Sequence, residues 1–510
     1  MPDTIDQLVK LRAARDGSTI AVIDPTSRIS YAELDTTTRD LAAAFIKAGV
    51  GKGSRVGLIM PNCVRWVQIA AALTRIGGVL VPLSTLLRAP ELVAQLRVAS
   101  VQFLVTVEEF RGHRYPDDLE PELANLPALH TVWTPDRLAP VNGSDMVDAM
   151  AATVTPSDTL AIMFTSGSSG PPKGVIHSHG NALAAVRSGL AARCIDAASR
   201  LYLPMPFFWV GGYGGGVLSA LLAGATLVTE EIPRPETTLR LLERERVTLF
   251  RGWPDQAEAL ARRSASVGAD LSALRPGSLE ALLPAEQRAE PGARAKLFGM
   301  TEAFGPYCGY RADTDMPRSA WGSCGRPFDG MEVRIVDADT GLRVPAGTAG
   351  MIQIRGPHTL RGVCRRSRED LFTADGYYPT GDLGHLDDDG FMFYHGRSDD
   401  MFKVSGATVY PGEVEQALRS IDGVDNAVVT NVPGPQGDRV GAAVVGDAMT
   451  AERLRGSAAK RLSSFKVPTV WLLLDSDDDI PRGTTGKVDV GQLRTLLADQ
   501  GWVTTPRRVR

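Results

Sequence analysis

The segment FTSGSSGPPKG, from Phe164 to Gly174, contains the residue types that a phosphate-binding loop needs, and it follows the apolar run LAIMF. Gly167 and Gly170 would let backbone N–H groups approach phosphate oxygens closely, and Lys173 would add a mobile positive charge. The segment is not a Walker A loop, because two prolines separate Gly170 from Lys173. Its composition is also typical of a flexible surface loop, but the preceding strand and the lysine favour phosphate binding.

Four further segments follow along the chain, and each contains a residue suited to a nucleotide or its phosphates. They are FGMTE (298–302), YYPTGDLG (377–384), GRSDDMFKVSGATVYPGEVEQAL (396–418) and DDDIPRGTTGKVDVGQLR (477–494). Taken singly, each has an ordinary explanation: a surface glutamate, a turn, a solvated pair of aspartates and a solvated lysine. Their combination and order are therefore more informative than any one of them.

Together the five segments resemble the motifs of the adenylate-forming superfamily, which includes acyl-CoA synthetases, luciferases and the adenylation domains of peptide synthetases. They occur in that family's order and cover nearly the whole chain. The resemblance implies an ATP-dependent ligase with two steps. A carboxylate first attacks the α-phosphate of ATP to give an acyl-adenylate and pyrophosphate, and a thiol then takes the acyl group.

The resemblance also implies a nucleotide site. Glu302 would hold Mg²⁺, a hard cation that prefers carboxylate oxygen, and Thr301 would contact phosphate. Phe298 would lie against adenine, and Asp382 would accept hydrogen bonds from the ribose hydroxyls. The residues expected to bind ATP or AMP are Thr165, Ser166, Gly167, Ser168, Ser169, Gly170, Lys173, Phe298, Asp382, Tyr394 and Arg397.

The last two segments resemble the parts of the family that move between the two steps. Lys487 matches the catalytic lysine that bridges carboxylate and α-phosphate oxygens during adenylation. Asp399 matches the hinge of the C-terminal domain, and Gly406 matches the glycine that leaves room for the pantetheine arm of CoA. Lys487, Glu302 and Thr301 are therefore the expected catalytic residues, with Mg²⁺ as cofactor and with ATP and CoA as co-substrates.

The segment PMPFFWVGGYGGG (204–216) resembles the family's acid pocket, and amino-acid-activating members carry an aspartate there that this chain lacks. An amino-acid substrate is disfavoured, because burying its unpaired ammonium group would be costly. Many acyl-CoA ligases have a histidine where Trp209 stands, and Trp209 could wall a pocket or serve as a core aromatic residue. We predict an apolar acid, either cyclic, aromatic or fatty, with a fatty acid favoured. The residues expected to line its pocket are Phe208, Trp209, Tyr213 and Gly214.

The stretch LRPGSLEALLPAEQRAEPGARAKLFGMTE (274–302) departs from the family pattern. Family members usually have a loop resembling Gly-Gly-Ala-Pro here, which packs on adenine, and none is evident in this chain. The departure keeps open a third class of function, a catalytically weakened acyl- or nucleotide-binding protein. An acyl-AMP ligase that serves a carrier protein is a second alternative, but the compact span 321–382 favours CoA as acceptor.

The elements that must position these residues follow an alternating pattern. Buried strands are predicted at 55–61, 79–83 and 103–107, with a helix at 64–78. This rhythm predicts an α/β fold with two doubly wound lobes in a large N-terminal domain. A small β subdomain is predicted at about 321–396 and a small mobile α+β domain beyond it, so the predicted domains are 1–396 and 397–510.

Composition excludes several classes of protein. Fifty-five basic and 59 acidic residues give a net charge of −4, which disfavours a nucleic-acid partner. No apolar run is long enough to cross a membrane, and the N-terminal residues lack the core of a secretory signal, so a cytoplasmic location is predicted. Five cysteines without a CxxC predict reduced thiols, and His177 and His179 have no third metal ligand nearby. The expected partners are a carboxylic acid, ATP and CoA, and a homodimer is one option for assembly.

Overall fold

The computed structural model describes residues 2–138, 141–142, 145–165, 172–398, 400, 402–404, 407–409, 411–434, 437–446, 450–483 and 488–503. The chain divides into two compact units. The first comprises Met1–Val333, Ile354–Tyr378 and Gly390–Met392, and the second comprises Arg334–Gln353, Pro379–Asp389 and Phe393–Arg510.

The helices in the described residues are short to medium in length, and a π-helix at Tyr213–Leu218 lies between the eighth and the ninth. In chain order they are α1 (Ile5–Asp16), α2 (Tyr31–Lys47), α3 (Val64–Arg75), α4 (Ala89–Val98), α5 (Tyr115–Leu119), α6 (Asp145–Ala152), α7 (His179–Ser188), α8 (Val210–Gly212), α9 (Ser219–Ala223), α10 (Pro235–Arg244), α11 (Pro254–Val267), α12 (Pro411–Arg419), α13 (Ala451–Ala458) and α14 (Val490–Gln500).

The strands are mostly of two to six residues. In chain order they are β1 (Ile20–Ile23), β2 (Arg28–Ser30), β3 (Arg55–Ile59), β4 (Val79–Leu83), β5 (Phe103–Thr106), β6 (Thr131–Trp133), β7 (Thr159–Phe164), β8 (Gly174–Ser178), β9 (Arg200–Tyr202), β10 (Thr226–Val228), β11 (Leu249–Phe250), β12 (Phe298–Met300), β13 (Gly305–Gly309), β14 (Arg326–Pro327), β15 (Glu332–Val336), β16 (Gly350–Arg355), β17 (Gly362–Val363), β18 (Tyr378–Leu386), β19 (Met392–Arg397), β20 (Phe402–Val404), β21 (Ala407–Val409), β22 (Val424–Val432), β23 (Arg439–Gly446), β24 (Val470–Leu474) and β25 (Trp502–Val503).

The first unit contains two largely parallel sheets. A seven-stranded sheet has the order β17-β8-β7-β4-β3-β5-β6, and a five-stranded sheet has the order β11-β9-β10-β1-β2. Every residue of β4 is buried, which is typical of a parallel strand covered on both faces. The antiparallel pairing of β7 with β8 returns the chain after the predicted phosphate loop, so this loop lies at the carboxyl end of β7. A small antiparallel sheet, β12-β13-β14, completes the unit.

The second unit contains most of the sheet β15-β16-β18-β19, the hairpin β20-β21 and the sheet β22-β23-β24-β25. In the last sheet β23 pairs antiparallel with β22 and parallel with β24. Its inner face packs against α12 and α13, with Trp471 fully buried. This unit is therefore an α+β structure with its own core.

The predicted fold class is confirmed: a mixed α/β protein with a large N-terminal and a small C-terminal part. The predicted strands and the helix appear at Arg55–Ile59, Val79–Leu83, Phe103–Thr106 and Val64–Arg75. The domain boundary at residue 396 stays a prediction. None of the helices in the described part of the chain has the length and apolar character needed to cross a bilayer.

Candidate active site

The carboxyl end of β7 and the start of β8 carry the two described ends of the predicted phosphate loop. Thr165 directly follows β7, and its backbone N–H donates to the Lys173 carbonyl at 3.2 Å. The antiparallel ladder places Phe164 opposite Gly174. Lys173 is thus held at the end of a rigid strand pair, with its side chain only partly exposed.

Lys173 meets two residues from distant parts of the chain. Its Nζ donates to the Glu302 carboxylate and, at 2.9 Å, to the Tyr378 hydroxyl. The Tyr378 hydroxyl also donates to Glu302 Oε1 at 3.3 Å, and the Glu302 side chain is 7% exposed. The three side chains form one hydrogen-bonded group, which we call the lysine–glutamate cluster.

The electrostatics of the lysine–glutamate cluster favour charge on the lysine. Burial alone would lower the pKa of Lys173, but the Glu302 carboxylate and the Tyr378 hydroxyl raise it above its usual value. Burial, followed by the charge of Glu302, raises the pKa of Tyr378. At neutral pH the cluster therefore contains a lysine ammonium and a neutral phenol beside the Glu302 side chain.

The turn that carries Thr301 and Glu302 is held through its backbone carbonyls. His177 Nε2 lies 2.8 Å from the Thr301 carbonyl, and the Leu360 N–H donates to the Glu302 carbonyl at 2.8 Å. Phe304 ends the turn in the left-handed region, with φ at 50°. Such a conformation costs about 1 kcal/mol or more for a bulky residue, so the surrounding contacts must stabilise it.

A buried network orients His177. The Asn181 amide donates to His177 Nδ1 at 2.9 Å and to the His358 carbonyl at 3.2 Å, while its oxygen accepts from the Ser178 N–H. Because Nδ1 accepts, Nε2 carries the proton and donates to Thr301. Burial lowers the pKa of His177 to about 3, so it is neutral at physiological pH.

Phe298 lies on β12, half-buried, with its ring edge-on to Tyr307 at 5.7 Å between centroids. The preceding stretch contains short 3-10 turns at Glu280–Leu282 and Ala285–Gln287 rather than a regular helix.

The glycine-rich segment after β9 forms α8 and the π-helix. Tyr213 is buried between Trp66 and Phe304, at centroid distances of 5.5 and 6.2 Å. Gly214 faces the same phenylalanine, since a Cβ there would lie 3.1 Å from the Phe304 ring. The segment therefore packs directly against the turn that carries Glu302.

Trp209 lies at the start of α8 and is half-buried. Its ring contacts the buried Phe208 at 5.5 Å and the half-buried Trp253 at 5.6 Å, both edge-to-face. Two partly exposed indoles in contact form an aromatic surface rather than a closed core.

In the second unit, Asp382 and Arg397 lie together. Arg397 Nη1 donates to Asp382 Oδ1 at 3.2 Å and to the Thr380 carbonyl at 2.8 Å. Gly381 has φ of 74°, in the left-handed region that favours glycine, and a Cβ there would lie 2.7 Å from Arg397 Nη2, so a side chain at this position would displace the guanidinium. Tyr394, on β19, is 40% exposed.

The remaining predicted site residues lie outside the described residues. They are the central part of the phosphate loop, the hinge, the CoA-channel glycine and the catalytic lysine: Ser166, Gly167, Ser168, Ser169, Gly170, Asp399, Gly406 and Lys487.

Sequence reasoning did not assign Tyr378, His177 or Asn181 to the site. Tyr378 is the second residue of the segment YYPTGDLG, and its place in that motif is the sequence signal that could have identified it. In the sequence, His177 was discounted as a metal ligand because no third ligand is nearby, and no other role was predicted for it. Its structural contact is a carbonyl, and no metal-binding group of three acidic, histidine or cysteine side chains occurs among the described residues.

A magnesium ion fits the chemistry of this cluster when it arrives with a nucleotide. Protein Mg²⁺ sites commonly use one or two carboxylates and complete their coordination with substrate phosphates and water. Glu302 supplies one buried carboxylate beside the end of the phosphate loop. The residue could thus hold Mg²⁺, which would neutralise charge on a triphosphate.

Comparison with protein families matches residues 9–364 to the AMP-binding enzyme model. A 3-(7a-methyl-1,5-dioxo-octahydro-1H-inden-4-yl)propanoyl:CoA ligase of Mycobacterium tuberculosis is 33% identical over 97% of this chain and 98% of its own. A feruloyl-CoA synthase of Amycolatopsis is 30% identical over 95% of this chain and 97% of its own.

Solved structures share the same fold. The anthranilate CoA ligase in complex with anthranoyl-AMP covers 98% of both chains, with a TM-score of 0.79 and 22% identity.

Proposed function

The chain belongs to the AMP-binding enzyme family, and on this premise we propose that it activates a bulky, ring-bearing carboxylic acid as an acyl-adenylate and passes the acyl group to CoA. Family and relatives make it an AMP-forming acid–CoA ligase that uses ATP. Beyond this activity, we propose the class of acid that is activated and the role of each residue. The observation that carries the proposal is the lysine–glutamate cluster at the end of β7.

The lysine–glutamate cluster has the groups that triphosphate activation needs. Lys173 is charged and can exchange its carboxylate partner for phosphate oxygens, and Thr165 lies beside it. Glu302 is then free to hold Mg²⁺. Thr301 would direct its hydroxyl to the phosphate, because His177 holds its carbonyl in place.

The residues proposed for the nucleoside part of ATP follow from their motifs. Phe298 would lie near adenine, and Asp382 would accept from the ribose hydroxyls while Arg397 stays paired with it. Tyr394 is exposed enough to join this group. The roles of Lys487 in adenylation, Asp399 as hinge and Gly406 in the CoA channel remain predictions from their motifs.

The sequence favoured a fatty acid as the substrate. We propose a ring-bearing acid in its place. The two half-buried indoles of Trp209 and Trp253 offer flat aromatic surface, which suits a ring better than a flexible chain. The relatives named above are named for a propanoyl group on an octahydroindene ring system and for a feruloyl group. No carboxylate occurs between Phe207 and Trp209 to pair with an amino group.

Pyrophosphate release across a panel of acids, measured with and without CoA, tests this function. The panel contains decanoate, 3-cyclohexylpropanoate, ferulate and phenylalanine. We expect pyrophosphate and CoA ester with the two ring acids, at least about tenfold less with decanoate, and none with phenylalanine. A preference for decanoate would restore the fatty-acid assignment. Pyrophosphate without CoA ester would favour a carrier protein as acceptor, and no pyrophosphate with any acid would favour a binding protein.

The cytoplasmic location and the homodimer stay predictions.

A further inference from the structure

Two arginines beside the acyl segment have no acidic partner among the described residues, and nothing in the proposed reaction uses them. We propose that Arg193 and Arg251 form a subsite for an oxygen acceptor, a ketone or a carboxylate, at the end of the acid remote from the carboxyl that is activated. The inference rests on the proposed function, because it names the substrate class of the same pocket.

Arg193 follows α7 and is 7% exposed. Its Nε donates to the Gly189 carbonyl at 3.0 Å and its Nη2 to the Val186 carbonyl at 2.9 Å, so part of the guanidinium caps the carboxyl end of the helix. Nη1 makes neither contact. It points to the π-helix, since a Cβ on Gly215 would lie 3.5 Å from it.

Arg251 directly follows β11 and is half-buried. Its Nη1 donates to the Gly277 carbonyl at 2.7 Å. Leu249, two residues earlier on β11, packs in the large core of the first unit, while Phe250 packs in a different cluster on the opposite face. Alternation along the strand therefore directs Arg251 to the side of the acyl segment.

The contacts of Gly277 place the two arginines near one another. Arg251 donates to the Gly277 carbonyl, and a Cβ on Gly277 would lie 3.0 Å from Sγ of Cys194, the residue that follows Arg193. Burial, followed by the charge of Arg251, lowers the pKa of Arg193 to about 10. Elsewhere this fold pairs its buried arginine: Arg75 is fully buried and meets Asp6 at 2.7 Å and Asp35 at 2.9 Å. Two close cations with only carbonyl partners are costly, and an oxygen acceptor from a ligand would offset that cost.

The position of the arginines matches the remote end of a bound acid. Along the π-helix, Gly214 faces Phe304 next to the Glu302 turn, whereas the following residue, Gly215, faces Arg193. Trp253 comes two residues after Arg251 and contacts Trp209. A substrate with its carboxyl near Glu302 and its ring against the indoles would therefore point its far end to the arginines.

The subsite changes the predicted substrate class. The segment 204–216 taken alone predicted an apolar acid. Two arginines behind it favour an acid that is apolar in its middle and carries an acceptor oxygen at its end.

Three matched acids test the inference: 3-cyclohexylpropanoate, 3-(4-oxocyclohexyl)propanoate and 3-(4-carboxycyclohexyl)propanoate. We expect the wild-type enzyme to form CoA ester from at least one oxygen-bearing acid with a kcat/KM about tenfold above that of the unsubstituted acid. The ketone and the dicarboxylate separate a neutral acceptor from an anionic one. Equal use of all three acids overturns the inference.

The variant Arg251→Met is expected to bring this preference ratio close to one, and Arg251→Lys is expected to keep part of it. Arg262→Met, an exposed arginine on α11, is the matched control and should keep the wild-type ratio. A uniform loss on all three acids in Arg251→Met would contradict the subsite.

Thermal-shift measurements with the same acids separate this inference from the proposed function. A selective stabilisation by the oxygen-bearing acids in wild type, absent in Arg251→Met, supports the subsite even if no CoA ester forms. CoA ester formation without any such selectivity supports the ligase and overturns the subsite.

Discussion

Two charged groups in the first unit solve the cost of burial in different ways. In the lysine–glutamate cluster, Lys173 has its own carboxylate partner in Glu302, so its charge is compensated by the protein itself. Arg193 and Arg251 have no acid of their own among the described residues. A ligand at the first site must exchange partners with the protein, whereas a ligand at the second supplies the missing acceptor. A site whose lysine can exchange one partner for another suits a nucleotide that is bound and released in every cycle. A site whose arginines lack an acidic partner favours substrates that carry an acceptor oxygen, and so suits substrate selection.

The largest effect is expected from removing the carboxylate of the lysine–glutamate cluster. Glu302→Gln should lower the rate of pyrophosphate release about 100-fold or more, because it removes the charge that would hold Mg²⁺ and leaves Lys173 without its partner. Initial rates with the best acid measure the effect. The acid preference should be unchanged, since Arg251 is untouched.

The control for this change is Glu332→Gln, which removes a carboxylate from an exposed pair with Arg355 in the same unit. Its rate should stay within about twofold of wild type. If the two variants lose activity to the same extent, Glu302 has no special role.

His177 adds a third case to this comparison, because it is a buried base that avoids the cost of a buried charge by staying neutral. Its folded pKa is lowered to about 3, whereas an unfolded histidine titrates near 6.5, so below pH 6.5 the unfolded chain binds a proton that the folded chain does not. The free energy of unfolding should therefore fall as pH falls, by about 2 kcal/mol from this residue at pH 5. His177→Gln should reduce the loss of stability between pH 7.5 and pH 5 by about this amount in denaturant unfolding. The loss that remains would come from His179 and His358, because burial lowers the pKa of each to about 4.

The exposed His130 provides the control for that experiment. His130→Gln should leave the wild-type loss of stability between the two pH values in place. An equal pH dependence in His177→Gln and wild type would show that the buried imidazole does not carry the effect.

The smallest effect is expected from introducing a carboxylate side chain beside Arg193. A Cβ on Gly215 would be in ordinary contact with Arg193 Nη1, so Gly215→Asp can pair with it from within. Compared with the isosteric Gly215→Asn, the aspartate should raise the free energy of unfolding by about 1 kcal/mol. It should also abolish the preference for oxygen-bearing acids. If aspartate and asparagine behave alike in both measurements, Arg193 does not need an acceptor.

Much of the fold was predictable because its signals are local. The apolar runs at Arg55–Ile59 and Val79–Leu83 and the intervening helix follow from periodicity over a few residues. The chemistry of Lys173, Glu302, Asp382 and Arg397 was equally visible, since each stands in a short motif of recognisable composition.

The partners of those residues were not predictable in this way. Lys173 and Tyr378 are 205 positions apart, and His177 and Thr301 are 124 apart. Arg193 and Arg251 each lie in unremarkable sequence. The contact of the π-helix with Arg193, and that of Trp253, two residues after Arg251, with Trp209, appear only in the tertiary structure. The sequence by itself determined the family, the strand and helix pattern and the residue types of the nucleotide site. The tertiary structure alone decided which charges are paired and which are not, because pairing depends on contacts between distant segments that no local propensity encodes.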